Sequence, residues 1–253
     1  SDGDGVLSPA EFLFAHNNAG RDSFPLLRLI YFRRLDVNSS GKLDPDEFTY
    51  TRKQPDEFFS LADDGSDLKP LFKFEGHNAC GSPSVSADGK WLAFDAFVGG
   101  QQSGSTIFVK KIDGTEPKEP QKVCLGMMPN WSAEGLRLTC SRSSPQYGVW
   151  IIDLTGEDHK YVCQGWGAQW SPDGKRIAYA EGAAIKAYNV ESEETTTLLE
   201  VGGKNPYQQV YWNMGWSPDS NRLCFKGVTQ QGANEVATIN ATGDNPDLKV
   251  RYS

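Results

Sequence analysis

The sequence predicts a multidomain α and β chain, in which a short helical module precedes a larger all-β module built from repeated four-stranded units. Two observations lead there. Four segments in the last two thirds align with one another without gaps, and repetition at a fixed period marks supersecondary units that stack. The first third instead carries acidic, glycine-punctuated loops next to an apolar stretch with helical spacing.

The bulk properties agree with this division. The 253 residues suffice for two modules that each bury a core. Asp and Glu number 33 against 25 Lys and Arg, a net charge of −8, which disfavours nucleic acid and anionic membrane as partners. No apolar run approaches the roughly 20 residues of a membrane span. The first 75 residues hold 14 acidic and 9 basic side chains, and so most of the excess charge. All seven tryptophans lie between Trp91 and Trp216. The five cysteines form no C-x-x-C pair and four fall in predicted strands, which reads as free thiols in apolar surroundings and leaves one disulfide among them open.

In the helical module, residues 36–47 read D-V-N-S-S-G-K-L-D-P-D-E. Oxygen donors at positions 1, 3, 5, 7, 9 and 12 of a 12-residue loop, with Gly at 6, wrap a calcium ion. Asp36, Asn38, Ser40 and Glu47 take positions 1, 3, 5 and 12, Lys42 offers its carbonyl at 7, and Asp44 acts at 9 through a water. Gly41 supplies the turn, Leu43 the apolar pin, and Pro45 opens the exiting helix. The stretch 24–35 has apolar residues spaced for an entering helix. The same frame upstream places Asp2, Asp4, Val6, Ser8 and Glu11 at positions 3, 5, 7, 9 and 12, with position 1 lying before Ser1. Glu11 and Glu47 are 36 residues apart, which suits two paired loops. Over residues 1–53 the chain thus resembles the EF-hand family, and the resemblance implies Ca2+ as the bound ion. With Asn38 and Ser40 in place of further carboxylates, affinity is expected in the micromolar-to-millimolar range.

The repeats begin at Ser86, Ser132, Ser171 and Ser217, spaced by 46, 39 and 46 residues. A period near 40–45 residues signals a propeller blade of four strands. Three of these serines follow a tryptophan (Trp131, Trp170, Trp216). Ser-x-Asp-Gly then makes a turn, and Leu92/Phe94, Leu138/Cys140, Ile177/Tyr179 and Leu223/Phe225 alternate as a strand does. Third strands are expected at 106–112, 148–154, 184–190 and 234–241, and fourth strands at 121–125, 160–163, 195–201 and 248–252. A β-sandwich would not repeat in this way. The motif resembles the TolB-type, WD-like propeller repeat family over residues 69–253, with 54–68 as a linker. Leu71–Glu75 is expected to be an outer strand. Six blades are typical of that family, so four blades and a cut first loop imply a piece of a longer protein. The resemblance further implies an extracytoplasmic protein of the bacterial envelope, periplasmic or secreted.

No catalytic motif is visible. The three histidines (His16, His77, His159) form no H-E-x-x-H, and there is no G-x-S-x-G or phosphate-binding glycine loop. The acids Asp88, Glu134, Asp173 and Asp219 recur once per repeat, which marks turn-building. Arg137, Arg176 and Arg222 recur likewise and read as strand-edge charges. The expected function is calcium binding joined to a propeller platform for a protein or other ligand, without an enzymatic activity of its own. The alternative is the propeller of a larger enzyme, either a peptidase with its hydrolase domain elsewhere or a carbohydrate-active enzyme.

Overall fold

The computed structural model describes residues 32, 36, 39–43, 56–62, 64–77, 79–97, 104–212, 214–242 and 247–252. The chain divides into two compact units, Ser1–Asn78 and Ala79–Ser253. Among the described residues no helix is long and apolar enough to cross a membrane.

In the first unit, Phe32 is helical and buried, and its carbonyl accepts the Asp36 N–H at 2.9 Å. The rest of the expected helical pair lies outside the described residues. Strands β1 (Asp56–Ser60) and β2 (Lys69–Phe74) pair antiparallel, with the Phe58 and Phe72 rings stacked at 4.9 Å. The structure therefore places a strand inside the stretch assigned to a linker. It also pairs 69–74 with that strand, where an outer blade strand was expected. Only residues 61–68 separate the two strands, so pairing them closes a small loop at modest cost in chain entropy. His77 stacks on Phe74 at 4.3 Å and bonds the Glu75 carbonyl through Nδ1 at 3.2 Å, a structural corner.

The second unit is an all-β propeller-like fold of four antiparallel sheets in chain order. Blade 1 holds β3 (Ala79–Val85), β4 (Trp91–Phe97), β5 (Thr106–Lys111) and β6 (Gln121–Leu125). Blade 2 holds β7 (Met127–Trp131), β8 (Arg137–Arg142), β9 (Gly148–Asp153) and β10 (His159–Cys163). Blade 3 holds β11 (Trp166–Trp170), β12 (Arg176–Glu181), β13 (Ala184–Asn189) and β14 (Thr195–Leu199). In blade 4, β15 (Tyr207–Val210) and β16 (Gly215–Trp216) both pair with β17 (Arg222–Thr229), followed by β18 (Asn234–Asn240) and β19 (Lys249–Tyr252).

Each blade is phased by its serine turn. Ser86, Ser171 and Ser217 donate to Asp88, Asp173 and Asp219 at 2.5–2.6 Å, while their hydroxyls accept the N–H of Trp91, Arg176 and Arg222. The serine hydrogen bond is what holds the Asp88 and Asp219 carboxyls below their ordinary value. The turn needs a left-handed residue, supplied by Gly89, Gly135 and Gly174 and, in blade 4, by Ser220 at φ 61°.

Strands β4, β8 and β12 bury both faces, where alternation alone would bury one. The extra burial comes from packing between blades. Strand β17 does alternate, leaving Cys224 exposed between buried Leu223 and Phe225.

Candidate functional site

The first candidate is the loop that follows Phe32. The Asp36 carboxylate accepts the Ser40 N–H and the Gly41 N–H, each at 2.8 Å, through different oxygens. Gly41 lies at φ 78° and Ser39 at φ 56°, so the backbone curls around the Asp36 side chain. The Ser40 hydroxyl stands 3.4 Å from Asp36 Oδ1 and 3.0 Å from the Lys42 carbonyl oxygen. The Ser40 hydroxyl thus stands between the Asp36 carboxylate and the Lys42 carbonyl, linking positions 1, 5 and 7 of the loop by hydrogen bonds. Leu43 is buried to 1% exposure and forms a β-bridge, as the apolar position 8 should. Asn38, Asp44 and Glu47 of this loop, and Asp2, Asp4, Val6, Ser8 and Glu11 of the upstream loop, lie outside the described residues.

The second candidate is a cavity of about 700 Å3 in the propeller unit. Inner strands of all four blades reach it through Ser82 and Ser84, Asn130, Gln169, and Gly215. Trp212 and Lys226 complete the wall, with the Lys226 ammonium 4.2 Å from the Tyr211 ring centre. Amide and hydroxyl groups among apolar surface suit a ligand with exposed backbone or other neutral polar groups.

The wall is shaped by contacts between blades. The inner strands of blades 1 to 3 each carry a bulge, with a left-handed residue at Ser82 (φ 49°), Met128 (φ 54°) and Gly167 (φ 67°). The preceding blade holds the next bulge in place: Asp95 accepts the Met128 N–H at 2.7 Å, and Ser141 accepts the Gly167 N–H at 2.9 Å. The tryptophans that precede the serines also reach across. Trp131 Nε1 donates to the Ser84 carbonyl at 2.9 Å, and Trp216 Nε1 to the Gln169 carbonyl at 3.0 Å. Arg137 stacks over Trp170 at 5.3 Å and Arg176 over Trp216 at 5.0 Å. Arg176 also donates to the Ser220 and Ala241 carbonyls. These two arginines are thus clamps between blades, not edge charges. Arg222 stays within blade 4, bonding Asn240 at 2.6 Å and Asp247 at 3.3 Å.

Asp95 is 4% exposed, and burial raises its carboxyl above the ordinary value against the bonds from Met128 and Ser82. A carboxyl raised on folding binds more protons folded than unfolded, so its contribution to stability grows as pH falls and is lost as pH rises. Asp95→Asn keeps an acceptor for Met128 and removes the buried charge. The variant is expected to match or exceed the parent in denaturant stability at pH 7, and to lose that advantage towards pH 4. A gap independent of pH would contradict an ionised, buried Asp95.

The family model described as EF hand matches residues 27–49. No curated protein matches the chain. Among solved structures, TolB from Acinetobacter baumannii is similar with a TM-score of 0.61 and 16% identity, over 78% of this chain and 48% of that one. A putative TolB from Agrobacterium tumefaciens gives 0.59 and 15%, over 79% and 69% respectively. A puromycin-hydrolyzing peptidase from Mycobacterium tuberculosis gives 0.57 and 17%, over 75% and 31%. The chain therefore spans about half of the first of these proteins and about a third of the peptidase. Such identities speak to fold alone: residues 27–49 match the EF-hand model, and the second unit has a propeller-like fold similar to that of TolB.

Proposed function

We propose that this chain binds calcium through the loop 36–47 and uses the cavity of its propeller as a platform for a protein or other ligand. The observation that carries the calcium half is that the Ser40 hydroxyl stands between the Asp36 carboxylate and the Lys42 carbonyl, which gathers three oxygen groups at loop positions 1, 5 and 7. In this reading Asn38, Asp44 and Glu47 complete the shell, within a helical EF-hand pair whose upstream loop adds Asp2, Asp4, Val6, Ser8 and Glu11. The platform half rests on the four-blade cavity and on the TolB fold. An extracytoplasmic setting, where calcium reaches millimolar levels, would fill a loop with so few carboxylates.

Thermal unfolding in calcium and in chelator tests this reading. At 100 times its dissociation constant, a ligand adds about 2.7 kcal/mol to the folded state. The transition of the N-terminal unit should rise by about 10 °C in calcium, and Glu47→Gln should remove most of that rise. No calcium-dependent shift in the parent chain would overturn the proposal. The fold likeness to the puromycin-hydrolyzing peptidase supports a second reading, a propeller serving a hydrolase. Hydrolysis of puromycin by a protein that contains this chain would favour it.

A further inference from the structure

Blades 1 and 2 meet at a side-chain cluster that the calcium loop and the cavity do not use. Cys124 in β6 packs against the buried cluster that holds Cys140 of β8, and the Cys140 sulfur lies 3.2 Å from where a Cβ on Gly126, two residues past Cys124, would stand. Cys140 is fully buried at 0% exposure, and Cys124 is half-buried. Arg142, two residues along β8, lies over the Trp150 ring at 4.9 Å. Its Nη2 donates to Cys124 Sγ at 3.1 Å and to His159 Nδ1 at 2.9 Å. A guanidinium has no acceptor, so Nδ1 of His159 must be accepting.

Arg142 is 7% exposed, its Nε finds no partner, and no carboxylate pairs with it among the described residues. A buried cation without a counter-ion is costly. The contacting group that can become an anion is the Cys124 thiol. We propose that Cys124 and Cys140 form a thiol–disulfide couple, with Cys124 as the attacking thiolate and a small-molecule disulfide as oxidant, so that oxidation staples blade 1 to blade 2.

The chemistry balances. The Cys124 thiolate attacks one sulfur of the oxidant, forming a mixed disulfide and expelling one thiolate. Cys124 is brought down to about 7 by the Cys140 hydrogen bond and then by the Arg142 charge, against burial. Cys140 is held well above its ordinary value, first by its bond to Cys124, then by burial and by the Cys124 charge. Capping Cys124 removes that bond and that charge together. Cys140 then gives up its proton to the medium and attacks Cys124 Sγ, expelling the second thiolate. Two protein thiols are oxidised, and the reagent disulfide is reduced to two thiols. The other ionisable group acting on this pair is Asp153, whose charge opposes the thiolate.

The test is peptide mapping of the intact chain after incubation with oxidised glutathione at neutral pH. Trypsin cuts after Lys122, Arg137 and Arg142, which separates Cys124 (residues 123–137) from Cys140 (residues 138–142). The expected result is these two peptides joined, lighter than their sum by two hydrogens. Alkylation of Cys124 should show a midpoint near 7. Cys140→Ala should slow that alkylation at pH 7 by about tenfold, because the thiolate loses its hydrogen-bond donor and returns towards the ordinary thiol value. Three results would each overturn the proposal: a lasting glutathione adduct on Cys124, a cross-link to a different cysteine, or no reaction with an alkylation midpoint near the free-thiol value of about 8.5. If Cys140→Ala does not fold, the peptide map and the alkylation midpoint of the parent chain still decide.

Discussion

Gly167→Ala should destabilise the propeller unit by about 3 kcal/mol or more, read as a lowered urea midpoint at unchanged slope. Gly167 sits at φ 67° in the bulge of β11, and an added Cβ there would run into the Cβ and backbone of Trp212 in the next blade. Neither side can yield easily. The Gly167 N–H is tied to Ser141 Oγ at 2.9 Å, and the carbonyl of the next residue, Ala168, takes the Thr139 hydroxyl at 3.2 Å. The left-handed backbone by itself is not the obstacle, since Ser82 and Met128 adopt it at the equivalent positions. Gly89→Ala provides the control: Gly89 has φ 70° with nothing within 4 Å of an added Cβ, so it should cost only about 1 kcal/mol. Equal effects for the two variants would mean that blades 3 and 4 do not approach as described.

Asp36→Ala should weaken calcium binding by at least about 100-fold, because it removes the first ligand and one of the loop's few negative charges. It should also loosen the empty loop, since that carboxylate holds the Ser40 and Gly41 amides. Asp36→Asn separates the two effects. Its amide oxygen can keep one of those bonds while the charge is lost, so the loop should stay ordered but bind calcium poorly. Calorimetric titration of both variants checks this, and an Asp36→Asn chain that binds as tightly as the parent would contradict a ligand role for Asp36.

Much of the blade architecture was legible because one local device, the Ser-x-Asp-Gly turn, repeats and sets the phase of each sheet. The third strand expected at 106–112 forms at Thr106–Lys111, and the fourth expected at 121–125 forms at Gln121–Leu125. What escaped the sequence is what passes between blades. Arg137 finds Trp170, and Arg176 finds Trp216, in the following repeat, whereas periodicity orders residues only within a repeat. The Asp95 bond to Met128 was hidden for the same reason. The pairing of β2 with β1 was missed because an apolar run of strand type carries no sign of its partner. Of the loop that starts at Asp36, the structure describes the Asp36 bonds to the Ser40 and Gly41 amides, the left-handed Gly41 and the burial of Leu43.

The most direct test of the calcium assignment is a titration followed through the backbone amide NMR signals of the intact chain. If the loop 36–47 is the site, the Gly41 amide should shift most, because it donates to the carboxylate that the ion polarises, and the change should saturate with those of Ser40 and Lys42. Signals of this loop that stay unmoved at millimolar calcium, or shifts confined to the propeller unit, would contradict the account.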